Sequence, residues 1–291
     1  MSELNNFKKI KYSQFGEDGI IEEILNRLNN EDLDLTCCEF GAWDGKHLSN
    51  VYNLVKNKNY KVLYIEGDLK KFNQLKKNFA KRNAITINKF VKFEGKDRLD
   101  EILSENNFNK NFDLLSIDID GNDYYILESL KKYTPKIIII EFNPTIPNEI
   151  EFVQKRDIKI NQGSSALSLN NLAKEKGYYL IAATETNLFF LHKDYQNRVT
   201  NNKDFELNEI VDDKNYRNFV WTGFDGKIFT NKKINLIWHK IEMNEIKILP
   251  KFLQKFPDNY NFFEKVLFRF YRNLINPGRL KKKIYSLFSK K

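Results

Sequence analysis

Cys37-Cys38-Glu39-Phe40-Gly41-Ala42-Trp43-Asp44-Gly45 is an apolar run that stops at an acid and a glycine and then passes into a helical pattern. It reads as a first β-strand, a tight turn and a helix N-terminus. Gly41 and Gly45 suit such a turn because a side chain at either point would hold a ligand off the backbone. The acids select the ligand. Glu39 and Asp44 beside the turn disfavour a bound phosphate, which argues against a Walker or pyrophosphate loop. A ligand with a cationic amino group and ribose hydroxyls fits better.

Outward from this turn, Lys61-Val62-Leu63-Tyr64-Ile65 is a short strand ended by Glu66-Gly67-Asp68. Glu66 falls roughly 20–25 residues after the turn, where an acid in a dinucleotide-binding fold holds ribose hydroxyls. A nucleoside is implied, the lack of a full G-x-G-x-x-G argues against a pyrophosphate, and S-adenosylmethionine is one candidate. Upstream, Tyr12–Gly19 is a polar loop feeding a helix that carries Ile20, Ile21, Ile24, Leu25 and Leu28 on its apolar face.

Apolar spacing predicts further helices over 46–57, 69–82, about 98–105, 122 to about 132, and through Leu167, Leu169, Leu172 and Ala173. Strands are predicted within 85–91 and at Phe112–Ile117 and Ile137–Ile140, with Tyr178–Ala183 and Asn187–His192 forming a hairpin. Such alternation gives a doubly wound, mostly parallel α/β sheet of seven strands with a terminal antiparallel hairpin. Ligands of such sheets bind beyond the C-terminal strand ends, where strand order reverses. Four of those ends carry acids: Glu39, Glu66, Asp118 and Glu141.

The N-terminus is polar, and nowhere do about 18 uncharged apolar residues run together. The expectation is a cytoplasmic protein that neither spans a membrane nor carries a visible export signal. Cys37 and Cys38, the only cysteines, are adjacent in a strand and point to opposite faces, which excludes a disulfide framework. Charge is concentrated at one end: residues 262–291 hold nine Lys or Arg and one acid, so +8 of the chain's +9 lies there. A nucleic-acid enzyme carries its positive field around the cleft, so a DNA or RNA substrate is disfavoured. The expected organisation is a domain over 1–199, a weakly patterned extension over 200–261 packed on it, and a basic amphipathic tail over 262–291.

Taken together, Ser13–Gly19, Glu39–Gly45, Ser49-Asn50, Asp118-Ile119-Asp120-Gly121-Asn122-Asp123, Glu141-Phe142-Asn143-Pro144, Asp225-Gly226 and Trp238-His239 resemble the class I S-adenosylmethionine-dependent methyltransferases of the FkbM-like group. The resemblance covers roughly residues 12–245, although the turn has fewer glycines than the commonest class I pattern. It implies a Rossmann-like fold and methyl transfer to oxygen, often on sugars or polyketide-like molecules. By the same resemblance Gln14 and Asp18 lie near the methionine end of the cofactor. Glu39, Gly41, Ala42 and Asp44 belong to its turn, Glu66 and Gly67 hold the ribose, and Asp118 borders the cofactor.

An alcohol must lose its proton to accept a methyl group. Asp118, Asp120, Glu141 and Asn143, from adjacent strand ends, are candidate oxygen ligands for Mg²⁺, an arrangement similar to that of metal-dependent O-methyltransferases. Alternatively His47 or Asp120 is a metal-free base. Two rival readings are a metal-dependent glycosyltransferase using Asp118 and Asp120, and a noncatalytic binding protein that has kept the fold. The tail places Phe263, Val266, Leu267, Phe270 and Leu274 on one helical face, and beyond Pro277 repeats the pattern with Leu280, Ile284, Leu287 and Phe288. Two such helices suit peripheral contact with an anionic membrane, which would bring an enzyme of polysaccharide biosynthesis close to lipid-linked acceptors. The acceptor's identity and the oligomeric state are not legible.

Overall fold

The computed structural model describes residues 2–28, 30–80, 83–243, 246 and 248–275. They fall into two compact units, one up to Arg217 and the other from Asn218. In the first, the strands are β1 (Thr36–Phe40), β2 (Lys61–Glu66), β3 (Ala84–Asn88), β4 (Leu114–Ile117), β5 (Ile137–Glu141), β6 (Tyr178–Ala183) and β7 (Asn187–His192). The helices are α1 (Glu17–Arg27), α2 (Tyr52–Asn57), α3 (Leu69–Phe79), α4 (Leu99–Glu105), α5 (Asp123–Ser129), α6 (Ala166–Glu175), α7 (Gln196–Thr200) and α8 (Leu207–Ile210). The strands lie in the order β3-β2-β1-β4-β5-β7-β6. All run parallel except β7, which is antiparallel to both β5 and β6. This is the Rossmann-like doubly wound sheet with its terminal antiparallel hairpin.

Alternation along the strands sorts the core into two layers. Cys38, Phe40, Leu63, Ile65, Leu115, Ile117, Ile138 and Ile140 share one layer with Leu103 of α4, Ile126 of α5 and Leu169 of α6. Cys37, Val62, Tyr64, Leu114, Ile137 and Ile139 share the other with Ile24 of α1, Leu54 of α2 and Leu75 of α3. The two cysteines thus face opposite ways, both fully buried, and burial pushes both thiols up, which leaves them packing groups.

Two boundaries differ from the sequence reading. The helix expected over 46–57 begins only at Tyr52. Trp43, Gly45 and Leu48 all take left-handed backbone angles, which no helix accommodates. Residues 200–217 belong to the first unit, not to the extension. There Phe205, Leu207, Ile210 and Val211 enter the same core layer as Leu180 and Phe190, and the Asn148 backbone N–H donates to Asp213 Oδ2 at 2.8 Å.

The second unit carries two short antiparallel pairs, β8 (Val220–Thr222) with β9 (Ile228–Thr230) and β10 (Ile234–Leu236) with β11 (Ile241–Met243), followed by helix α9 (Phe262–Ile275). The second tail helix expected beyond Pro277 lies outside the described residues. Among the described residues no helix is long and apolar enough to cross a membrane.

At the N-terminal edge of the sheet, Lys136 Nζ and Asp113 Oδ1 form an ion pair at 2.7 Å with both side chains buried. Asp113 also accepts from the backbone N–H groups of Asp34 and Leu35, and Lys136 donates to the Asn111 carbonyl. The pair therefore ties together the starts of β1, β4 and β5. Lys136→Met, which strands the Asp113 carboxylate in the core, is predicted to cost about 3–5 kcal/mol in urea unfolding. Replacing both partners with apolar groups should cost much less.

Candidate functional site

The sheet register sets one row across its C-terminal edge. Phe40 is aligned with Ile65 on one side and with Ile117 on the other, and Ile117 with Ile140. One residue further on stand Gly41, Glu66, Asp118 and Glu141. The order of connection reverses between β1 and β4, so this row lies at the topological switch point where such sheets bind ligands.

Gly41 has φ +74, and a Cβ there would lie 1.7 Å from the Asp118 carbonyl oxygen. The turn crosses directly over the end of β4, and this backbone contact by itself requires glycine. At Gly45 (φ +72) a Cβ would meet the side chains of Phe79 and Leu75 at 2.5 and 2.6 Å. The loop between is tied at several points. Ala42 N–H reaches the Ile65 carbonyl, and Asp44 Oδ1 accepts from the backbone N–H groups of Lys46 and His47 at 2.9 and 2.8 Å. Glu39 is buried, with Oε2 accepting from the Ser49 hydroxyl at 2.6 Å and Oε1 from Asn50 N–H at 2.8 Å. It anchors the loop from beneath. Burial pushes its carboxyl up to about 7, against the pull of those two hydrogen bonds.

Glu66 faces the same loop. Its Oε2 accepts from Trp43 N–H and its Oε1 from Asp68 N–H, both at 2.8 Å, which fixes the carboxylate while leaving each oxygen a further lone pair. Phe90, 70% exposed, lies where a Cβ on Gly67 would stand, 2.3 Å from the nearest ring atom. Asp18 organises the opposite wall. Its Oδ2 accepts from the backbone N–H groups of Lys11, Tyr12 and Ser13 and from the Ser13 hydroxyl, while its buried Oδ1 has no partner. Ser13 bridges to Leu48, which brings exposed Gln14 alongside the glycine loop. Neighbouring Glu17, also buried, accepts from Thr184 and Asn187.

Beyond β4, Asp123 accepts from Ile119 N–H through Oδ1 and from Gly121 N–H through Oδ2, each at 2.9 Å. These bonds bend the chain so that Asp120 takes φ 57. The bend gathers Asp118, Asp120 and Glu141, whose carboxylate oxygens lie within 4.8 Å of one another. Burial, reinforced by the neighbouring acids, pushes Asp118 and Glu141 well up, and burial also raises Asp123. Among the described residues none of these acids, nor Glu17, Asp18 or Glu39, forms an ion pair with Lys, Arg or His.

Two other candidates are engaged by different partners. Asn143 Oδ1 accepts from Thr145 N–H and Oγ1 at 2.9 and 2.6 Å, so its oxygen serves the local turn. His47 is exposed and lies edge-on to Trp43 at 5.3 Å.

Sequence reasoning missed Gln154. Fully buried, it accepts from Gln162 and Gly163 N–H and donates to the Ile160 carbonyl, holding the 154–163 loop against Gly121, whose Cβ would lie 2.9 Å from its Oε1. It sits in a segment with no periodicity, and only the missing side chain at Gly121 hinted at a close neighbour.

Residues 95–179 match the family model of the methyltransferase FkbM domain. Over this segment, less than half of the chain, the sequence is similar to the FkbM methyltransferase domain. The matched segment holds Asp118, Asp120 and Glu141 and excludes the Gly41 loop and Glu66. No curated protein matches the chain. Among solved structures, a TehB-like SAM-dependent methyltransferase from Corynebacterium glutamicum aligns with 62% of this chain and 88% of its own at 14% identity, with a TM-score of 0.39. A SAM-dependent methyltransferase from Aquifex aeolicus aligns with 65% of this chain and 95% of its own at 11% identity, with a TM-score of 0.37.

The raised carboxyls make a stability prediction for the first unit. Glu39 has a folded pKa above its unfolded value, so the folded chain keeps a proton that the unfolded chain releases, and stability falls as pH rises from about 4.5 through about 7. The difference between wild type and Glu39→Gln isolates this group. In thermal unfolding across that range, wild type should lose ground to the variant, approaching about 3 kcal/mol at full ionisation. A difference that grows in the opposite direction contradicts the assignment.

Proposed function

We propose that this FkbM-like chain is an S-adenosylmethionine-dependent O-methyltransferase whose acceptor is a hydroxyl of a sugar or glycan precursor. The observation that carries the reading is the convergence, at the switch point, of carboxylates that form no ion pair among the described residues. A ligand bearing a sulfonium and an ammonium supplies the missing charge. The buried, unpartnered Oδ1 of Asp18 suits the ammonium, and Gln14 lies on the same loop. Glu66, already oriented by Trp43 and Asp68, suits the ribose hydroxyls. The sugar acceptor rests on the family resemblance alone.

When bound, the cofactor supplies an electrophilic methyl group. The chain's own part is to hold the acceptor oxygen in line and to take its proton. Asp120 is the candidate for this role, being the exposed member of the Asp118, Asp120 and Glu141 group. Those three carboxylates also fit a divalent ion such as Mg²⁺, which would lower the pKa of an acceptor hydroxyl. Exposed His47 is the alternative base.

Transfer of a labelled methyl group to a panel of nucleotide sugars and glycan fragments tests the reading. Asp120→Asn is predicted to lower turnover by about 100-fold or more while leaving S-adenosylhomocysteine affinity within about threefold. Glu66→Ala should instead weaken that affinity by about tenfold. Cofactor binding without transfer to any acceptor would favour the noncatalytic reading. Metal-dependent use of a nucleotide sugar as donor would favour a glycosyltransferase.

A further inference from the structure

Among the described residues, the polar and ring contacts that attach helix α9 (Phe262–Ile275) to its own unit come from one side. Phe268 lies 5.3 Å from the Tyr260 ring, the Tyr271 hydroxyl donates to the Ile248 carbonyl, and Glu264 pairs with Lys255 at 2.6 Å. At 100° per residue these three side chains share one face. A broad stripe that starts beside this face and runs round the helix carries Phe262, Phe263, Val266, Leu267, Phe270 and Leu274, which are 49% to 76% exposed. No residue of the helix is buried. An amphipathic helix in a soluble unit normally turns its apolar face inward. Here it is the mixed face that docks.

Charge identifies what the uncovered face meets. Lys265, Arg269 and Arg272 lie between the docked face and the apolar stripe, with Arg269 beside Phe262. The sequence after the helix adds Arg279, Lys281, Lys282, Lys283, Lys290 and Lys291, against the single acid Glu264 from residue 262 onward. A second copy placed on this face would bring the same excess of positive charge against itself. A nucleic acid would engage the cations but leave the phenylalanines in water. An anionic lipid surface satisfies both, with rings entering the interface and basic groups among the headgroups. We infer that α9 is a membrane-surface helix that binds anionic lipid through its Phe263 and Phe270 face. This inference is independent of the methyl-transfer reading.

Flotation of the full chain with vesicles tests it. The chain is predicted to float with phosphatidylcholine vesicles containing phosphatidylserine, and not with phosphatidylcholine alone. Phe263→Ser/Phe270→Ser, which changes only exposed side chains, should reduce the floated fraction by about tenfold with thermal unfolding unchanged. Lys265→Glu/Arg269→Glu should do the same by reversing charge. Failure of the wild type to float with the phosphatidylserine vesicles, or equal flotation of the variants, would overturn the inference. So would equal flotation with phosphatidylcholine alone, or a self-associated species in sedimentation that Phe263→Ser/Phe270→Ser disperses while vesicles bind neither protein.

Discussion

Carboxylates buried side by side repel one another and lose the water that would stabilise their charge, so a fold that gathers them must hold each in place by other means. At the C-terminal edge of this sheet the means are backbone and hydroxyl donors. Asp18 receives four, Asp123 receives two from the loop it bends, and Glu39 and Glu66 each receive one on either oxygen. Those bonds shape the loops. They satisfy hydrogen-bonding capacity without supplying positive charge, and Asp118, Asp120 and Glu141 are left facing one another.

The other edge of the sheet shows what the same chain does with a buried acid that has no ligand to meet. Asp113 is as deeply placed as any of the C-terminal acids, and it is matched by Lys136 at 2.7 Å. The contrast gives the unbalanced edge its meaning. Parallel strands bring successive C-terminal ends to one side, the register aligns Gly41, Glu66, Asp118 and Glu141, and among the described residues Asp118, Asp120 and Glu141 form no ion pair. In the proposed reading, a cationic ligand completes the electrostatics that the fold leaves open.

Much of this was legible in the sequence because it depends on short-range pattern. Strand and helix alternation, the hairpin at Tyr178–His192 and the acids at four strand ends each follow from local periodicity and punctuation. What was not legible depends on contacts between distant segments. Nothing near Gly41 announces that the Asp118 carbonyl passes 1.7 Å from where its Cβ would be. The 46–57 region has helical spacing, yet Asp44 and Ser49 divert it into a loop by capturing backbone N–H groups. Asn143 has the chemistry of a ligand, but Thr145 claims its oxygen. The tail's amphipathicity was plain, whereas which face would dock was decided by Tyr260, Ile248 and Lys255, outside the helix.

The most direct measurement is calorimetric titration of the full chain with S-adenosylmethionine at about pH 5.5 and about pH 7.5 in buffers of different ionisation heat. If the unbalanced acids are there to receive a cation, the ligand binds at both values, binds more tightly at the higher one, and releases protons as it does so. Absence of binding at either pH, or affinity that falls as the acids ionise, would contradict the account.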